Sequence, residues 1–192
     1  MVVGSEVQRD ERARRPAAVT LGILSDPPHG VIFIERAAHL ANHPGQIGLP
    51  GGAVDPEDEG DHERAALREL REEVGIGAER VQIVGRLPMI SQRVNVFDVV
   101  PFVAVIAPGP LSIDPGEVAA VFTIPLEVLV GDALTSGHVR VGLADVPTDI
   151  LEYDGRRIWG LTGRILRSFR EAWRAADGNL RARVEERLRA CR

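Results

Sequence analysis

The stretch Leu49–Ile76, LPGGAVDPEDEGDHERAALRELREEVGI, places two glycines before an acidic loop and then puts three glutamates within five consecutive residues. The spacing of its apolar residues predicts a helix over 61–74, and Gly75 is suited to end that helix. Because successive helical residues advance by about 100°, Glu69 and Glu73 lie one turn apart on one face. Like charges at this spacing cost roughly 0.2–0.5 kcal/mol per pair, so the pattern indicates that something compensates for them.

A divalent cation is one such compensation, since two carboxylates on one helix face can hold the same ion. Oxygen ligands without cysteine, and without histidines at a ligand-like spacing, favour Mg²⁺ or Mn²⁺ over zinc. Such an ion neutralises a pyrophosphate and positions a water molecule. The alternative without a metal is a solvent-exposed helix face on which arginine and glutamate form ion pairs. Taken alone, the segment RELREEVG is more typical of such an exposed face than of a metal site. The surrounding residues therefore decide the interpretation.

The composition is that of an ordinary globular protein, with 192 residues, 44% hydrophobic and 27% charged. We expect one domain over 16–176, a flexible arm over 1–15, and a C-terminal helix or tail over 177–192. The net charge of −5 argues against a general affinity for nucleic acid. No apolar run approaches the roughly 20 residues that span a bilayer.

The single cysteine, Cys191, excludes a disulfide framework and a cysteine-based zinc site. All 23 basic residues are arginine, which removes the P-loop lysine, a lysine general base and Schiff-base chemistry. We therefore expect a cytoplasmic protein that acts on a small molecule, without nucleic-acid or membrane partners. The sequence does not decide between a monomer and a homodimer.

Strand-like runs alternate irregularly with helical patterns, which predicts an α+β fold rather than a regular βαβ series. A turn signal, SDPPHG, predicts a hairpin between the first two strands. Residues 37–52 are predicted to be an irregular connection, because they are too rich in glycine and proline for a helix. The predicted strands are 16–24, 31–36, 80–88, 94–106, 118–124, 138–143 and 149–153, and the predicted helices are 61–74, 125–131, 159–176 and 179–192.

The stretch Leu49–Ile76 resembles the Nudix box, G-x5-E-x7-R-E-U-x-E-E-x-G-U, in which U is aliphatic. Gly52 supplies the first glycine, and the second half, from Arg68 onward, is filled without exception. Gly52 and Arg68 are two residues further apart than in the general pattern. The first glutamate of the motif falls on Asp58 if positions are counted forward from Gly52. It falls on Gly60 if positions are counted back from Arg68. The extra residues lie in the loop before the helix, where changes of length cost little, and the role of Asp58 is left open.

The segment before the box is similar to that of the coenzyme A pyrophosphatase group of this family, R-x3-L-x2-H-x-G-Q-[IV]-x-F-P-G-G. Leu49 stands where phenylalanine is usual, and Ala41 stands where some members have arginine. Further similar segments extend the resemblance over about residues 19–169. The matching residues are Arg36, Leu40, His43, Gly45, Gln46, Ile47, Pro50, Gly51 and Gly52.

The resemblance implies a Nudix fold, a mixed β-sheet packed between α-helices. It also implies that Mg²⁺ or Mn²⁺ supports hydrolysis of a nucleoside diphosphate linked to another moiety. The leading substrate is coenzyme A or a derivative, cleaved to 3′,5′-ADP and 4′-phosphopantetheine. The alternatives are an enzyme for ADP-ribose, NADH or another nucleotide derivative, and a non-catalytic ligand-sensing module.

By motif position, the resemblance implies that Glu69 and Glu73 are the core metal ligands and that Gly52 offers its backbone to the metal. Glu72 is implied to be a further ligand or a catalytic residue that organises water. Arg68 is implied to brace the catalytic loop by ion pairing. Glu117 follows a turn where the family often carries a catalytic base or an extra ligand, although a solvated turn residue is an equal interpretation.

Four residues are expected to bind substrate. Arg36 ends a strand and is suited to hold a phosphate, unless it forms a structural ion pair instead. Arg93 lies in a polar loop suited to the same contact. His43 and Gln46 belong to the motif-like segment, and a loop hydrogen bond is the alternative role for His43.

Overall fold

A mixed β-sheet forms the centre of the molecule, which a computed structural model describes over residues 14–91 and 96–191. Its strands are β1 (Arg15–Leu24), β2 (Gly30–Arg36), β3 (Ile47–Gly48), β4 (Gly51–Ala53), β5 (Val81–Arg86), β6 (Ile90–Ser91), β7 (Phe97–Ile106) and β8 (Val118–Pro125). A smaller antiparallel sheet contains β9 (Leu134–Val141), β10 (Ala144–Tyr153) and β11 (Arg156–Ile158). The helices are α1 (His62–Val74), α2 (Leu126–Val130), α3 (Gly160–Arg174) and α4 (Asn179–Ala190). None of the helices in these described ranges is both long enough and apolar enough to cross a bilayer.

The large sheet is mixed because β1 and β7 run parallel, whereas its other pairings are antiparallel. Strands β1 and β2 form the predicted hairpin, with Ile23 opposite Val31. Strand β2 also pairs along its length with β8, and its last residues pair with the short edge strand β3. The predicted α+β class, with a mixed sheet between helices, is confirmed.

Alternation along β2 assigns its side chains to the two sides of the sheet. Val31 and Phe33 pack into the larger core, which includes residues of α2, α3 and α4. Ile32 and Ile34 pack on the other side, in a cluster with residues of α1. All four are essentially inaccessible to water, and full burial of such a side chain stabilises the fold by about 1.5–3 kcal/mol. Helix α1 is thereby held against one face of the sheet.

The expectation of an irregular connection over residues 37–52 is wrong in part, because the segment contains β3 and begins β4. Strand β4 pairs antiparallel with β1 through main-chain groups, with Gly51 opposite Val19 and Gly52 opposite Ala18. Glycine has a low strand propensity, so the sequence of β4 does not indicate a strand. The pairing with β1 fixes the extended conformation of β4.

At the N-terminus the structure departs by one residue from the expected boundary, and at the C-terminus a helix lies within the expected range 177–192. Most of the predicted arm lies outside the described residues, and Arg15 already belongs to β1. At the other end, α4 buries Leu180, Val184 and Leu188 against the larger core. Helix α4 is therefore an integral part of the folded body.

Candidate active site

Helix α1 carries the acidic residues and has well-defined ends. The Asp61 carboxylate accepts hydrogen bonds from the backbone N–H groups of Glu63 and Arg64, which caps the N-terminus. Gly75 ends the helix with a φ of 71° and lies so close to Ser112 that a Cβ atom would approach within 2.8 Å of its side chain. Glycine is thus required here both by the backbone conformation and by space.

The apolar spacing of α1 predicts a buried stripe of Leu67, Leu70 and Val74, and the structure adds two small residues to it. Ala65 and Ala66 are fully buried, as are Leu70 and Val74, whereas Leu67 is only partly buried. The two alanines pack against β1 and β7, near Ala18 and Phe102. This short side-chain layer brings the helix backbone close to the sheet, and with it the glutamates.

Glu73 is the most enclosed of the glutamates, with 1% of its surface exposed. Its Oε2 atom accepts a hydrogen bond of 2.8 Å from the backbone N–H of Gly51. Its Oε1 atom lies 3.8 Å from Nη1 of Arg36. Gly51 has a φ of 151° and passes so close to β1 that a Cβ atom would lie 2.3 Å from the Ala18 carbonyl oxygen. Only glycine allows this backbone to reach Glu73.

Glu69 lies one turn before Glu73 and packs directly on the backbone of β4. A Cβ atom on Gly52 would lie 2.3 Å from Oε1 of Glu69, so the absence of a side chain there leaves the space that the carboxylate occupies. The same Oε1 atom accepts a hydrogen bond of 3.0 Å from Nη1 of Arg68. The two glycines therefore place one backbone segment against both carboxylates.

Glu117 reaches the same place from the loop that precedes β8. This loop is docked on the end of α1, since the N–H groups of Ser112 and Asp114 donate to the carbonyl groups of Val74 and Glu73. The Glu117 side chain is exposed. Its sequence position alone did not separate a solvated turn residue from a functional one, and the structure brings it to the two helical glutamates.

Glu69, Glu73 and Glu117 form the one group of potential metal ligands in residues 14–91 and 96–191, each offering an oxygen within 4.8 Å of the others. Three converging carboxylates are suitable ligands for a hard divalent cation such as Mg²⁺ or Mn²⁺. Glu72, an expected further ligand, is not in this group. Its side chain is 47% exposed and its Oε2 atom lies 2.8 Å from Nη1 of Arg68.

The electrostatics of the cluster also suit a cation. Burial raises the pKa of Glu73 to about 8, even though the Gly51 N–H group and Arg36 oppose that shift. Burial likewise raises the pKa of Glu69, while the adjacent Arg68 acts in the opposite direction. Enclosed carboxylates that repel one another are stabilised by a positive ion placed between them.

Arg68 holds the acidic loop against α1. Its guanidinium group donates to both oxygens of Asp58, to Glu69 and Glu72, and to the carbonyl oxygen of Ala53. Asp58 has 2% of its surface exposed, and its Oδ2 atom also accepts from the N–H of Asp55. Hydrogen bonding to Arg68 is the main reason that the pKa of Asp58 is lowered. The residue that the sequence left open is therefore the buried partner of Arg68.

The expected substrate-binding residues are not all in one place. Arg36 lies beside Glu73, and its buried Nε atom has no hydrogen-bond partner in the part of the chain that the structure describes. Gln46 and His43 lie in the turn after β2, where the Gln46 carbonyl accepts from the Arg36 N–H and the His43 carbonyl accepts from the Gln46 N–H. His43 is exposed and has a φ of 55°. Arg93 lies outside the described residues.

A pocket of about 530 Å³ was not anticipated from the sequence. One wall is formed by Glu35 and residues 45–47, and the other by residues 154–157 with Trp159. The second wall includes the two-residue hairpin turn between β10 and β11, Asp154–Gly155. Its Asp-Gly sequence is a hairpin signal, but the packing of the turn against β3 is a long-range contact without a local signature.

Comparison with known protein families agrees with the motif. A model of the NUDIX domain matches residues 13–141. The protein named "Uncharacterized Nudix hydrolase NudL" from Salmonella heidelberg (strain SL476) is 34% identical over 174 residues, which cover 84% of each chain. Its namesake from Salmonella paratyphi B (strain ATCC BAA-1250 / SPB7) is 36% identical over 166 residues, which cover 80% of each chain.

Solved structures share the fold. A MutT/nudix family protein from Enterococcus faecalis aligns with a TM-score of 0.57 and 16% identity, over 94% of this chain and 70% of that one. A Nudix hydrolase from M. smegmatis, RenU, aligns with a TM-score of 0.50 and 22% identity, over 60% of this chain and 73% of that one. At these identities the likeness establishes the fold alone.

We predict that Asp58→Asn lowers the free energy of unfolding by about 2–4 kcal/mol, because it leaves the buried guanidinium of Arg68 without its main counter-charge. The folded-state pKa of Asp58 is lowered, so its contribution is present above the unfolded pKa of about 4. It is lost as the pH falls through the folded pKa. Urea unfolding at a series of pH values should show the two proteins converging in acid, and a difference that persists there would contradict the ion pair.

We also predict that Mn²⁺ binding depends on pH through Glu73. The pKa of about 8 means that the metal-free protein holds a proton on this carboxyl at neutral pH, and a cation must displace it. The dissociation constant should fall about tenfold per pH unit up to about pH 8 and then level off. Titration followed by electron paramagnetic resonance measures this directly. A dissociation constant that is flat from about pH 6.5 to about pH 8 would exclude Glu73 as the proton-releasing ligand.

Proposed function

Because the chain belongs to the Nudix family of hydrolases, we propose that it is a Mg²⁺- or Mn²⁺-dependent pyrophosphohydrolase acting on coenzyme A or a close derivative. The products would be 3′,5′-ADP and 4′-phosphopantetheine. The observation that carries the hydrolytic part is the convergence of Glu69, Glu73 and Glu117 at the end of α1. We assign this activity to the cytoplasm, since the only cysteine in the sequence is Cys191 and no disulfide within the chain supports the fold.

The three carboxylates would hold the cation, and the backbone of Gly51 and Gly52 would keep two of them in place. A bound Mg²⁺ or Mn²⁺ would supply charge neutralisation for a pyrophosphate and a lowered pKa for an attacking water. Glu117 is the most exposed of the three, so it is the carboxylate that can reach a water on the solvent side. We assign it the role of general base or of third ligand.

Arg36 would bind the pyrophosphate beside the cation. Its Nη1 atom is 3.8 Å from Glu73, a distance typical of an ionic contact rather than a hydrogen bond. Its buried Nε atom has no hydrogen-bond partner within residues 14–91 and 96–191, so the guanidinium retains a donor for an anionic oxygen. Charge-assisted contacts of this kind are among the stronger hydrogen bonds.

Coenzyme A is favoured as the substrate by the motif-like segment between Arg36 and Gly52. Its first residue lies beside the carboxylate cluster, and its last two lie against Glu69 and Glu73. The segment thus borders the place where the pyrophosphate would lie. ADP-ribose, NADH and other nucleotide derivatives share the same pyrophosphate and are the competing substrates.

We predict that Glu69→Gln and Glu73→Gln each lower kcat by at least about 10³-fold, on the order of 4 kcal/mol of transition-state stabilisation. Each replacement removes a ligand charge but keeps the shape of the side chain, so the thermal unfolding temperature should be maintained. The matched control is Glu63→Gln, in the exposed first turn of the same helix, and its kcat should be unchanged. Near-normal turnover by either cluster variant at saturating metal would show that the ligand assignment is wrong.

The substrate is tested by steady-state kinetics with coenzyme A, ADP-ribose, NADH and nucleoside triphosphates. We expect coenzyme A to have the highest kcat/KM and every activity to be lost with excess EDTA. Turnover of ADP-ribose or NADH at least about tenfold better than coenzyme A, a difference of about 1.4 kcal/mol, would overturn the substrate and leave the chemistry in place. Full turnover in EDTA, with metal content checked, would overturn the metal-dependent mechanism.

A further inference from the structure

The pocket between β3 and the β10–β11 hairpin is lined by groups of mixed chemistry. Glu35 and Asp154 are acidic, Arg156 and Arg157 are basic, and Trp159 is aromatic. The formal charges of these residues cancel. The ligand that fits such a lining carries an anionic group together with hydrogen-bond donors and a flat ring.

Arg156 is held in the pocket by a stack of aromatic rings. Its guanidinium carbon lies 4.3 Å from the centroid of the Phe122 ring. Phe122 stacks in turn on Phe33, with ring centroids 5.8 Å apart and planes within 15°. Phe33 is completely buried and lies opposite Phe122 in the β2–β8 pairing. A guanidinium held over an aromatic ring has a restricted position, from which N–H groups at its edge can bind a phosphate.

The partner of Arg156 is one that an incoming anion can displace. Its Nη1 atom lies 3.1 Å from Oδ2 of Asp154, whose side chain is 78% exposed. Ion pairs this exposed contribute little to stability, whereas a phosphate can accept two parallel hydrogen bonds from one guanidinium. Asp154 would return to water when a phosphate binds.

We propose that this pocket is a subsite for a nucleoside phosphorylated at its 3′ position, in which Arg156 binds the 3′-phosphate monoester. Trp159 offers an aromatic face to the base, and the carboxylate of Glu35 can accept a hydrogen bond from an amino group of the base. The inference rests on the proposed function for the identity of the nucleotide. It also supplies a cation for the 3′-phosphate of coenzyme A, since Arg36, beside Glu73, is assigned to the pyrophosphate.

The pocket and the carboxylate cluster are both reached from the end of one strand. Glu35 lines the pocket, while the next residue, Arg36, lies beside Glu73. The register of the β2–β8 pairing shifts between these two residues, so neighbouring positions of β2 contribute to the two places. The phosphate at Arg156 comes either from the molecule whose pyrophosphate lies at the cluster or from a separate nucleotide.

The test is calorimetric binding of adenosine 3′,5′-bisphosphate and of 5′-AMP to the full chain in EDTA, where no turnover occurs. We expect the wild-type protein to bind the bisphosphate more tightly than 5′-AMP. Arg156→Gln should weaken binding of the bisphosphate about tenfold and change the affinity for 5′-AMP less than about twofold. The control is Arg140→Gln, an exposed arginine of the same small sheet outside the pocket. It should behave as the wild-type protein.

Unchanged binding of the bisphosphate by Arg156→Gln would overturn the subsite. If that variant does not fold, Arg156→Lys replaces it, since lysine keeps the charge without the planar fork. We expect the lysine variant to bind the bisphosphate about threefold to tenfold more weakly than the wild-type protein, and equal binding would overturn the proposal.

The source of the phosphate is distinguished by kcat/KM for coenzyme A and its 3′-dephospho form. A preference that falls in Arg156→Gln in parallel with binding assigns the subsite to the substrate itself. An unchanged preference, with binding still weakened, assigns it to a separate nucleotide. Absence of coenzyme A turnover in the wild-type protein would defeat the proposed function without affecting the binding result.

Discussion

The hydrogen bonding of Arg68 is the interaction on which the candidate site depends. Three glutamates on one helix repel one another, and Arg68 lies among them with contacts to Glu69 and Glu72. The same guanidinium fixes the acidic loop through Asp58. These partners raise the pKa of Arg68, so its charge is permanent at any pH the fold survives. The guanidinium of Arg68 thus offsets the charges of Glu69 and Glu72. Glu73 has no contact with Arg68 among these hydrogen bonds and is left for the proposed metal ion.

The close approach of backbone to carboxylate is the complementary constraint. Glu73 is buried, and such a carboxylate needs a hydrogen-bond donor. Gly51 supplies this donor because its backbone passes β1 at a distance that no side chain would permit. Gly52 similarly leaves room for Glu69. The two glycines are therefore required by the position of the two glutamates.

The sequence predicts the parts of the site that depend on local spacing. Helical periodicity places Glu69 and Glu73 on one face, and the motif names them as ligands. Asp58 could not be assigned, because the register of the longer loop is ambiguous until the 3-10 turn Pro56–Asp58 fixes its course. Strand β4 and the stacking of Arg156 depend on tertiary pairing between distant segments, for which the local sequence carries no signal.

The carboxylate cluster and the proposed subsite at Arg156 depend on different segments of the chain. The family model ends at residue 141, so it includes the carboxylate cluster and the first wall of the pocket but not the hairpin with Arg156. A fold shared by many proteins acquires its specificity from segments placed at the margin of a common core. Here β2 connects the two parts, because its last two residues bring Arg36 to the cluster and Glu35 to the pocket. On the proposed role of Arg156, a change in the hairpin would alter which nucleotide is recognised, while the cluster held by Arg68 and Gly51 would stay intact.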